Sequence, residues 1–371
     1  MRLPANIERI LVIKPSSLGD IFHVFPALEL LRRRFPAAEL DFLIHPAFAE
    51  ILDYSPWPVS RRILFERKRM GRLKTMLPEF VKLIRALRER RYDLVIDFQG
   101  LTRSALFARL ARHDGPVIGF AAPREAAARL GYTLRLPVVA GHAVERNVGL
   151  INALFGSSDA PPLPELPRIA ANAEQAELLM PGDRPLIFLL PGARWESKRF
   201  PPRLFAQSIL EFRKRRPEFR FGILGGSGDR EIEAEILRQA GPEAPIVPLA
   251  GKTTLGVTME LLRRADLVIS NDSGPIHAAA ALGKRIIGFF GPTLPEKTGP
   301  YGGNSRILRA EGLDCLGCLR RECPKKSGET LRCHRLQPET VAEEMVKLLE
   351  FHGMKPADRE CEPHKLQEKE L

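Results

Sequence analysis

The sequence predicts an α/β protein with two doubly wound domains that face each other across a cleft. The chain has 371 residues, which is enough for about two domains of ordinary size. Short apolar runs recur along it, and each leads through a turn with glycine or serine into a segment of helical period, as in repeated βα units. A stretch rich in proline, serine and alanine, 156–167, separates two series of these units and predicts an exposed interdomain linker.

The predicted elements follow the chain in order. The first series has predicted strands at Ile10–Lys14, Leu40–Ile44, Leu94–Asp97 and Val117–Phe120, with helices over Ile21–Arg34 and Glu79–Arg90. The second series has predicted strands at Leu186–Leu190, Phe221–Leu224, Leu267–Ser270 and Ile286–Phe290. A final helix is predicted over Glu339–Phe351, and the charged stretch 354–371, which lacks apolar periodicity, is expected to be disordered.

The composition favours an acidic partner. Lys and Arg number 57 against 45 Asp and Glu, a formal charge of +12, which suits nucleic acid, anionic lipid or a phosphorylated substrate. The first ten residues include Arg2, Glu8 and Arg9, a pattern that does not fit a secretory signal. No uncharged run reaches the roughly 18 apolar residues of a membrane span. We therefore expect a cytoplasmic protein.

The first predicted strand ends in a polar turn, Pro15–Asp20, that leads into a helix. Asp20 thus lies near a helix N-terminus at the carboxyl end of a strand, where open α/β sheets bind their ligands. Aspartate is also a common N-cap, so a purely structural role explains the residue equally well. The turn lacks the G-x-G-x-x-G pattern of dinucleotide-binding proteins.

Turns of the second half offer groups for an anion. Gly192 is followed by Arg194, Lys198 and Arg199, and cations of this kind beside a helix N-terminus bind pyrophosphate, although a solvated charged loop has the same composition. A second glycine-rich turn, Gly225–Asp229, presents backbone amides.

The turn after the Leu267 strand is more informative. Ser273 and Gly274 open an alanine-rich helix, so their amides point along its dipole toward an anion, with Asp272 and His277 nearby. A capping aspartate and a structural histidine are the alternative.

Two further segments stand out. Cations crowd 61–91, among them Arg61, Arg62 and Lys68, interleaved with apolar residues. Such a surface suits a phosphorylated glycolipid at the inner leaflet of a membrane, or is a solvated helix face. The spacing C-x₂-C-x₄-C-x₉-C joins Cys315, Cys318, Cys323 and Cys333. These cysteines form a structural zinc site, a set of reduced thiols or a disulfide.

Together these motifs resemble glycosyltransferase family 9, the lipopolysaccharide heptosyltransferases, over about residues 8–350. The matching segments, in the order of the family, are Lys14–Asp20 with His23, Asp93–Gly100, Pro191–Ala193 with Lys198–Pro201, Leu249–Thr254, Asn271–His277 and Gly291–Thr293.

The resemblance implies a glycosyltransferase B fold of two Rossmann-like domains. Residues 1–165 are expected to bind the acceptor and residues 166–337 the nucleotide sugar, with the helix at 338–353 returning to the N-terminal domain. Asp20 matches the proposed general base and Lys198 a contact to donor phosphate and sugar. The other expected donor contacts are Gly192, Asp229, Asp272, Ser273, Gly274 and His277. The expected acceptor contacts are Ser17, Gly19, His23, Gln99, Arg61, Arg62 and Lys68.

The function so implied is inverting transfer of a heptose from ADP-heptose to the inner core of lipopolysaccharide, with no cofactor required for catalysis. The expected partners are an acidic glycolipid acceptor and the inner leaflet of the inner membrane, and no nucleic acid. Two alternatives stay open. One is a family-9 transferase that uses another nucleotide sugar for a different surface glycan. The other is a nucleic-acid-binding protein with a Cys-rich zinc knuckle, for which no RRM, KH or helix-turn-helix signature is present.

Overall fold

A computed structural model describes residues 4, 6–139, 141–325, 328 and 330–350. Two six-stranded sheets, parallel throughout, form the framework. The first contains Arg9–Ile13 (β1), Glu39–Ile44 (β2), Val59–Leu64 (β3), Leu94–Asp97 (β4), Val117–Phe120 (β5) and Leu134–Leu136 (β6). The second contains Leu186–Leu190 (β7), Arg220–Ile223 (β8), Ile246–Pro248 (β9), Leu267–Asn271 (β10), Ile286–Phe289 (β11) and Ser305–Leu308 (β12).

Helices connect the strands. Those that precede the second sheet are Leu18–Phe22 (α1), Phe25–Arg34 (α2), Arg67–Met70 (α3), Leu73–Arg88 (α4), Thr102–Leu110 (α5), Ala143–Phe155 (α6) and Ala170–Leu179 (α7). Those that follow are Pro202–Arg213 (α8), Arg230–Ala240 (α9), Leu255–Arg264 (α10), Gly274–Ala281 (α11), Pro295–Thr298 (α12) and Pro338–Glu350 (α13).

Both sheets have the same strand order. It is β3-β2-β1-β4-β5-β6 in the first sheet and β9-β8-β7-β10-β11-β12 in the second. The order reverses between β1 and β4, and again between β7 and β10, so each sheet has a crevice at the carboxyl ends of these strands. The predicted class, α/β with two doubly wound sheets, is confirmed, and each crevice adjoins one of the turns singled out in the sequence.

The structure departs from the predicted elements mainly at the sheet edges. All eight predicted strands are present, but β3, β6, β9 and β12 were not predicted. These strands are short or half exposed and lack a continuous apolar run, as the burial of β3 illustrates. The predicted helix Ile21–Arg34 is two helices, because the helical hydrogen bonds are interrupted between Phe22 and Phe25, ahead of Pro26, whose nitrogen has no proton to donate.

An apolar cluster joins the two sheets. It includes Val12 and Ile96 beneath the first crevice together with Leu190 and Ile276 beneath the second. Polar contacts reinforce this interface on one side, where Glu50 accepts hydrogen bonds from the Thr254 hydroxyl and the Leu255 amide at the start of α10. The N-terminal domain therefore caps a helix of the C-terminal domain.

The last helix, α13, packs within the C-terminal domain. Its buried residues Val341 and Met345 belong to the same apolar cluster as Ile209 and Phe212 of α8. The predicted return of this helix to the N-terminal domain is therefore wrong for 338–350, since its apolar stripe is already covered by α8. The predicted disordered stretch 354–371 lies outside the described residues. Among the helices that are described, none is both long and apolar enough to cross a membrane.

Candidate active site

Residues 14–20, called the base loop after the predicted general base Asp20, place that residue at the mouth of the first crevice. The Ser17 amide and hydroxyl both donate to Oδ2 of Asp20 at 2.8 Å. Burial opposes ionisation of this carboxyl, but the Lys14 cation and the two bonds from Ser17 outweigh it and lower its pKa to about 2. Asp20 is therefore ionised throughout the physiological range, and its Oδ2 is engaged by both groups of Ser17.

Lys14 is the buried counter-charge of this loop. Its side chain lies beneath Asp20 and donates from Nζ to the Phe98 carbonyl at 3.0 Å. Burial lowers the pKa of Lys14, while the carboxylates of Asp20 and Asp97 favour the cation. Sequence reasoning did not assign Lys14 a role, although a lysine at the end of the apolar strand Ile10–Ile13 was a visible signal.

Across the cleft, Lys198 and Asp272 form an ion pair. Lys198 Nζ lies 2.7 Å from Oδ2 of Asp272, and the ammonium also rests 4.6 Å from the centre of the Trp195 ring. The Thr293 hydroxyl donates to the same Asp272 oxygen at 2.6 Å. The carboxylate thus holds the cation of Lys198 at the mouth of the second crevice. Thr293, a further residue without an assigned role in the sequence, completes this set.

The start of α11 presents an unsatisfied donor to the cleft. The Ser273 hydroxyl is buried at the N-cap and has no hydrogen-bond partner within the described part of the chain. Gly274 follows it directly at the positive end of the helix dipole. A phosphate oxygen at this position would accept the orphaned hydroxyl and the free amides of the first turn.

Gly192 and Asp229 meet beside this turn. A Cβ at Gly192 would lie 2.5 Å from the Asp229 carboxylate oxygens, so glycine is needed for the close approach. Asp229 also accepts the Gly226 amide at 2.8 Å and thereby fixes the glycine-rich turn. This contact gives Asp229 a structural role in the turn.

Three histidines join the two halves of the site. His23 Nε2 lies 3.1 Å from Nδ1 of His277, which brings the end of α1 against α11. His142 packs edge-on against His23 and bonds the Gly299 carbonyl across the interface at 3.1 Å. A Cβ at Gly19 would lie 2.3 Å from the His277 ring, so the two helices touch where Gly19 has no side chain. The structure therefore brings Asp20 to the same cleft as Lys198 and Asp272.

A pocket in the N-terminal domain opens next to the base loop. Gln99, Arg67 and Arg103 line it, together with Pro15 and Ser16. Oε1 of Gln99 is buried and unpaired within the described residues. Burial, and then the cation of Arg67, lower the pKa of Arg103, so two like charges adjoin one another here. The arrangement suits an anionic ligand, and neither arginine was singled out in the sequence.

The other predicted acceptor residues lie apart from this pocket. Arg61 forms an ion pair with Glu89, and Arg62 forms one with Asp53, both from strand β3. Lys68 lies on the exposed helix α3. None of these three lines the pocket, so of the predicted acceptor residues the structure groups only Ser17, Gly19, His23 and Gln99 around the base loop.

The four cysteines near the C-terminus are free thiols that lie near one another. Burial, and then the neighbouring thiols of Cys315, Cys323 and Cys318, raise the pKa of Cys333 to about 11. Among the residues that the structure describes, no group of three or more His, Cys, Asp or Glu side chains is arranged to hold a metal ion. The zinc site and the two alternatives to it, reduced thiols and a disulfide, stay predictions.

Comparisons with known proteins place the chain among members of one family. The family model of glycosyltransferase family 9 (heptosyltransferase) matches residues 80–328. The chain is 32% identical to lipopolysaccharide heptosyltransferase 1 of Pseudomonas aeruginosa, over 92% of this chain and 98% of that protein. It is 26% identical to lipopolysaccharide heptosyltransferase 2 of Salmonella typhimurium, over 93% of this chain and 100% of that protein. The solved structure of E. coli heptosyltransferase WaaC with ADP superposes with a TM-score of 0.72 at 26% identity, covering 92% of this chain and 99% of that one.

The histidine cluster predicts acid sensitivity. Burial lowers the pKa of His23, of His142 and of His277, the last to about 4, so each accepts a proton more readily when unfolded. Stability should be fully present above about pH 6.5 and fall as the pH drops toward 4, with a slope on the order of 1.4 kcal/mol per pH unit from His277 alone. Urea unfolding between pH 7.5 and 5 measures this, and His277→Gln should flatten the slope. Equal slopes in variant and wild type would contradict the prediction.

Proposed function

The chain belongs to glycosyltransferase family 9, the heptosyltransferases, and is a glycosyltransferase; we propose that it moves a heptose from ADP-heptose to the inner core of lipopolysaccharide. The observation that carries this proposal is the pairing of an ionised carboxylate, Asp20, with the Lys198–Asp272 ion pair across one cleft. The His23–His277 contact holds the two together. Sugar transfer needs both parts, since one side accepts a proton while the other stabilises the leaving diphosphate.

The donor site is the second crevice. A nucleoside diphosphate there would place its phosphates at the N-terminus of α11, where the Ser273 hydroxyl lacks a partner. Lys198 supplies the cation, and Asp272 is placed to meet a sugar hydroxyl once Lys198 turns toward phosphate. The Asp229 carboxylate beside Gly192 is placed for a ribose hydroxyl. The relative crystallised with ADP supports an adenine nucleotide as the donor carrier.

The reaction is a single displacement that inverts the anomeric carbon. The acceptor oxygen bonds to that carbon as the bond from carbon to diphosphate oxygen breaks. Its proton passes to Asp20, and the electron pair of the broken bond stays on the departing ADP. Lys198 and the amides of the α11 turn stabilise the charge that develops there, and these groups are held in place before the reaction.

The low pKa of Asp20 indicates late proton transfer. A carboxylate with a pKa of about 2 is too weak a base to deprotonate a free hydroxyl to a useful extent. An acceptor oxygen that has begun to bond to the anomeric carbon becomes strongly acidic, and a weak base then suffices. Asp20 therefore acts on the transition state rather than on the resting acceptor.

The acceptor is proposed to be an acidic glycolipid. Arg67 and Arg103 adjoin each other in the pocket beside the base loop, and no carboxylate of the described residues forms an ion pair with either. A carboxylate or phosphate on the acceptor would relieve their repulsion. The unpaired Gln99 carbonyl oxygen in the same pocket would accept from a sugar hydroxyl. The acceptor thereby reaches Asp20 from the N-terminal side.

The same domain has a surface that supports the proposed association with the inner leaflet of the membrane and, with it, a cytoplasmic location. Leu77 on α4 is 66% exposed, and Val81 and Met76 beside it are 38% and 46% exposed. Exposed cations surround them, among them Lys74, Lys82, Arg85 and Arg88 on the same helix. Apolar side chains ringed by cations bind anionic lipid at its interface.

We propose a structural role for the four cysteines, with zinc as a candidate ligand. The spacing C-x₂-C supports it, as does the proximity of the other three thiols to Cys333. Zinc would replace the thiol protons and fix the loop, and it would take no part in the transfer.

Asp20→Asn should lower turnover roughly 10²- to 10⁴-fold with ADP-heptose and native acceptor, because the amide cannot take the proton. Binding of ADP, measured by calorimetry, should stay unchanged, since Asp20 lies on the acceptor side. Asp159→Asn, at an exposed carboxylate of the linker, is the matched control. Turnover near that of the wild type would remove Asp20 from the role of base.

Lys198→Ala should weaken ADP binding and slow transfer together. A hydrogen bond to a charged group contributes about 1.5–3 kcal/mol, which corresponds to a loss of roughly tenfold or more in affinity. Lys214→Ala, which removes an exposed lysine paired with Glu211, should change neither quantity. ADP affinity equal to that of the wild type would show that Lys198 does not contact the diphosphate.

Vesicle binding tests the membrane surface. The wild type should float with vesicles that contain phosphatidylglycerol but not with pure phosphatidylcholine, and salt should weaken the binding. The double variant Leu77→Asp, Val81→Asp should lose most of this binding. Leu178→Asp, at an 82% exposed leucine on α7, should retain it. Unchanged flotation of the double variant would exclude this surface.

A further inference from the structure

The Cys-rich loop, residues 313–325 and 330–334, lies against the turn that carries Lys198. This turn, Trp195–Arg199, contains one short 3-10 segment, Glu196–Lys198, and few hydrogen bonds of its own hold it. The proposed chemistry requires the Lys198 ammonium to be placed to within a fraction of an ångström. The contacts that hold this turn therefore affect the placement of the Lys198 ammonium.

Ser197 is the anchor point. Its amide donates to the Arg321 carbonyl at 3.2 Å, and its hydroxyl donates to the Arg320 carbonyl at 2.6 Å. Its own carbonyl lies 2.7 Å from Nε2 of His334. All three polar groups of Ser197 thus bond to the Cys-rich loop, and the residue is 3% exposed.

His334 is built for this bond. A carbonyl oxygen only accepts, so Nε2 of His334 carries the proton and donates. The ring stacks on Phe200 at 4.3 Å between centroids, which fixes its plane.

The same loop also holds the other partner of Asp272. The Gly317 amide donates to the Gly291 carbonyl at 3.0 Å, and the Leu319 amide donates to the Pro292 carbonyl at 2.7 Å. Cys333 packs against this turn, since a Cβ added at Gly291 would lie 2.8 Å from the Cys333 sulfur. The next residue is Thr293, which donates to Asp272. Both groups that orient the Asp272 carboxylate therefore lie on turns that this loop holds.

We infer that the Cys-rich loop is a positioning element of the donor site, and that His334 is a positioning residue that acts on Lys198 through the Ser197 carbonyl. The inference rests on the proposed role of Lys198 toward the donor diphosphate. The loop thereby acquires a function that the sequence does not reveal, because the loop and the Lys198 turn lie far apart along the chain.

Hydrogen–deuterium exchange tests the coupling without reference to activity. His334→Phe keeps the stack on Phe200 but removes the donor to Ser197, whereas His334→Gln restores a donor. Exchange of the peptide that covers 195–200 should rise severalfold in the first variant and return toward the wild-type level in the second. The glycine-rich turn 225–229 should be unaffected in both. Unchanged exchange at 195–200 in His334→Phe would overturn the inference.

A double-mutant cycle tests the functional consequence. His334→Phe should lower kcat/KM roughly 10- to 100-fold through misplacement of Lys198. In the Lys198→Ala background, His334→Phe should lower kcat/KM by less than about twofold, since the ammonium that His334 positions is already absent. Equal losses in both backgrounds would overturn the inference, because a general destabilisation adds independently.

Two further measurements separate this inference from the proposed function. If His334→Phe does not fold, Ser197→Ala replaces it in the experiment. This variant removes one of the three hydrogen bonds between Ser197 and the loop and leaves the loop sequence intact. It should reproduce the rise in exchange at 195–200, and a wild-type pattern would count against the coupling. If Lys198→Ala itself leaves ADP binding and transfer intact, the proposed role of Lys198 fails. The exchange experiment then still decides whether the loop holds the turn.

Discussion

The contact between α1 and α11 is the constraint on which the rest of the site depends. Each Rossmann-like sheet presents half of the candidate site at its own topological switch point. The His23–His277 hydrogen bond joins the halves, since His23 follows Asp20 by three residues and His277 follows Asp272 by five. Neutral rings cost less to desolvate than an ion pair, which would cost several kcal/mol per charge at the same place. At this contact the two domains thus meet through groups that stay uncharged at neutral pH.

Charge is concentrated instead where the reaction needs it. Lys14 and Asp20 are neighbouring opposite charges, and Lys198 and Asp272 form an ion pair, each set on its own side of the cleft. Under the proposed function, a substrate between them would meet a carboxylate on one face and an ammonium on the other. Charges that are partly withdrawn from water interact more strongly than they would in bulk solvent.

Local patterns in the sequence predicted the parts of this molecule that depend on local patterns. Apolar runs identified the eight inner strands, and polar turns at their carboxyl ends identified Asp20, Lys198 and Asp272. The edge strand β3 escaped notice because its alternating, half-exposed residues do not form an apolar run. The prediction of the surface against which α13 packs was wrong, because an apolar stripe on a helix does not specify which surface covers it. The bonds from the Cys-rich loop to Ser197 were out of reach, since they join residues more than a hundred positions apart through backbone carbonyls, which every residue possesses.

Gly19 has a consequence for how such chains diversify. Because a Cβ at this position would overlap the His277 ring, the identity of residue 19 in one domain limits what residue 277 in the other can be. The two positions must therefore change in concert or not at all. A chimera that joins the N-terminal domain of one relative to the C-terminal domain of another inherits a working cleft only if both parents solve this contact in the same way. Exchange of acceptor specificity by domain shuffling is thus limited by steric compatibility at this contact as well as by the substrate pockets.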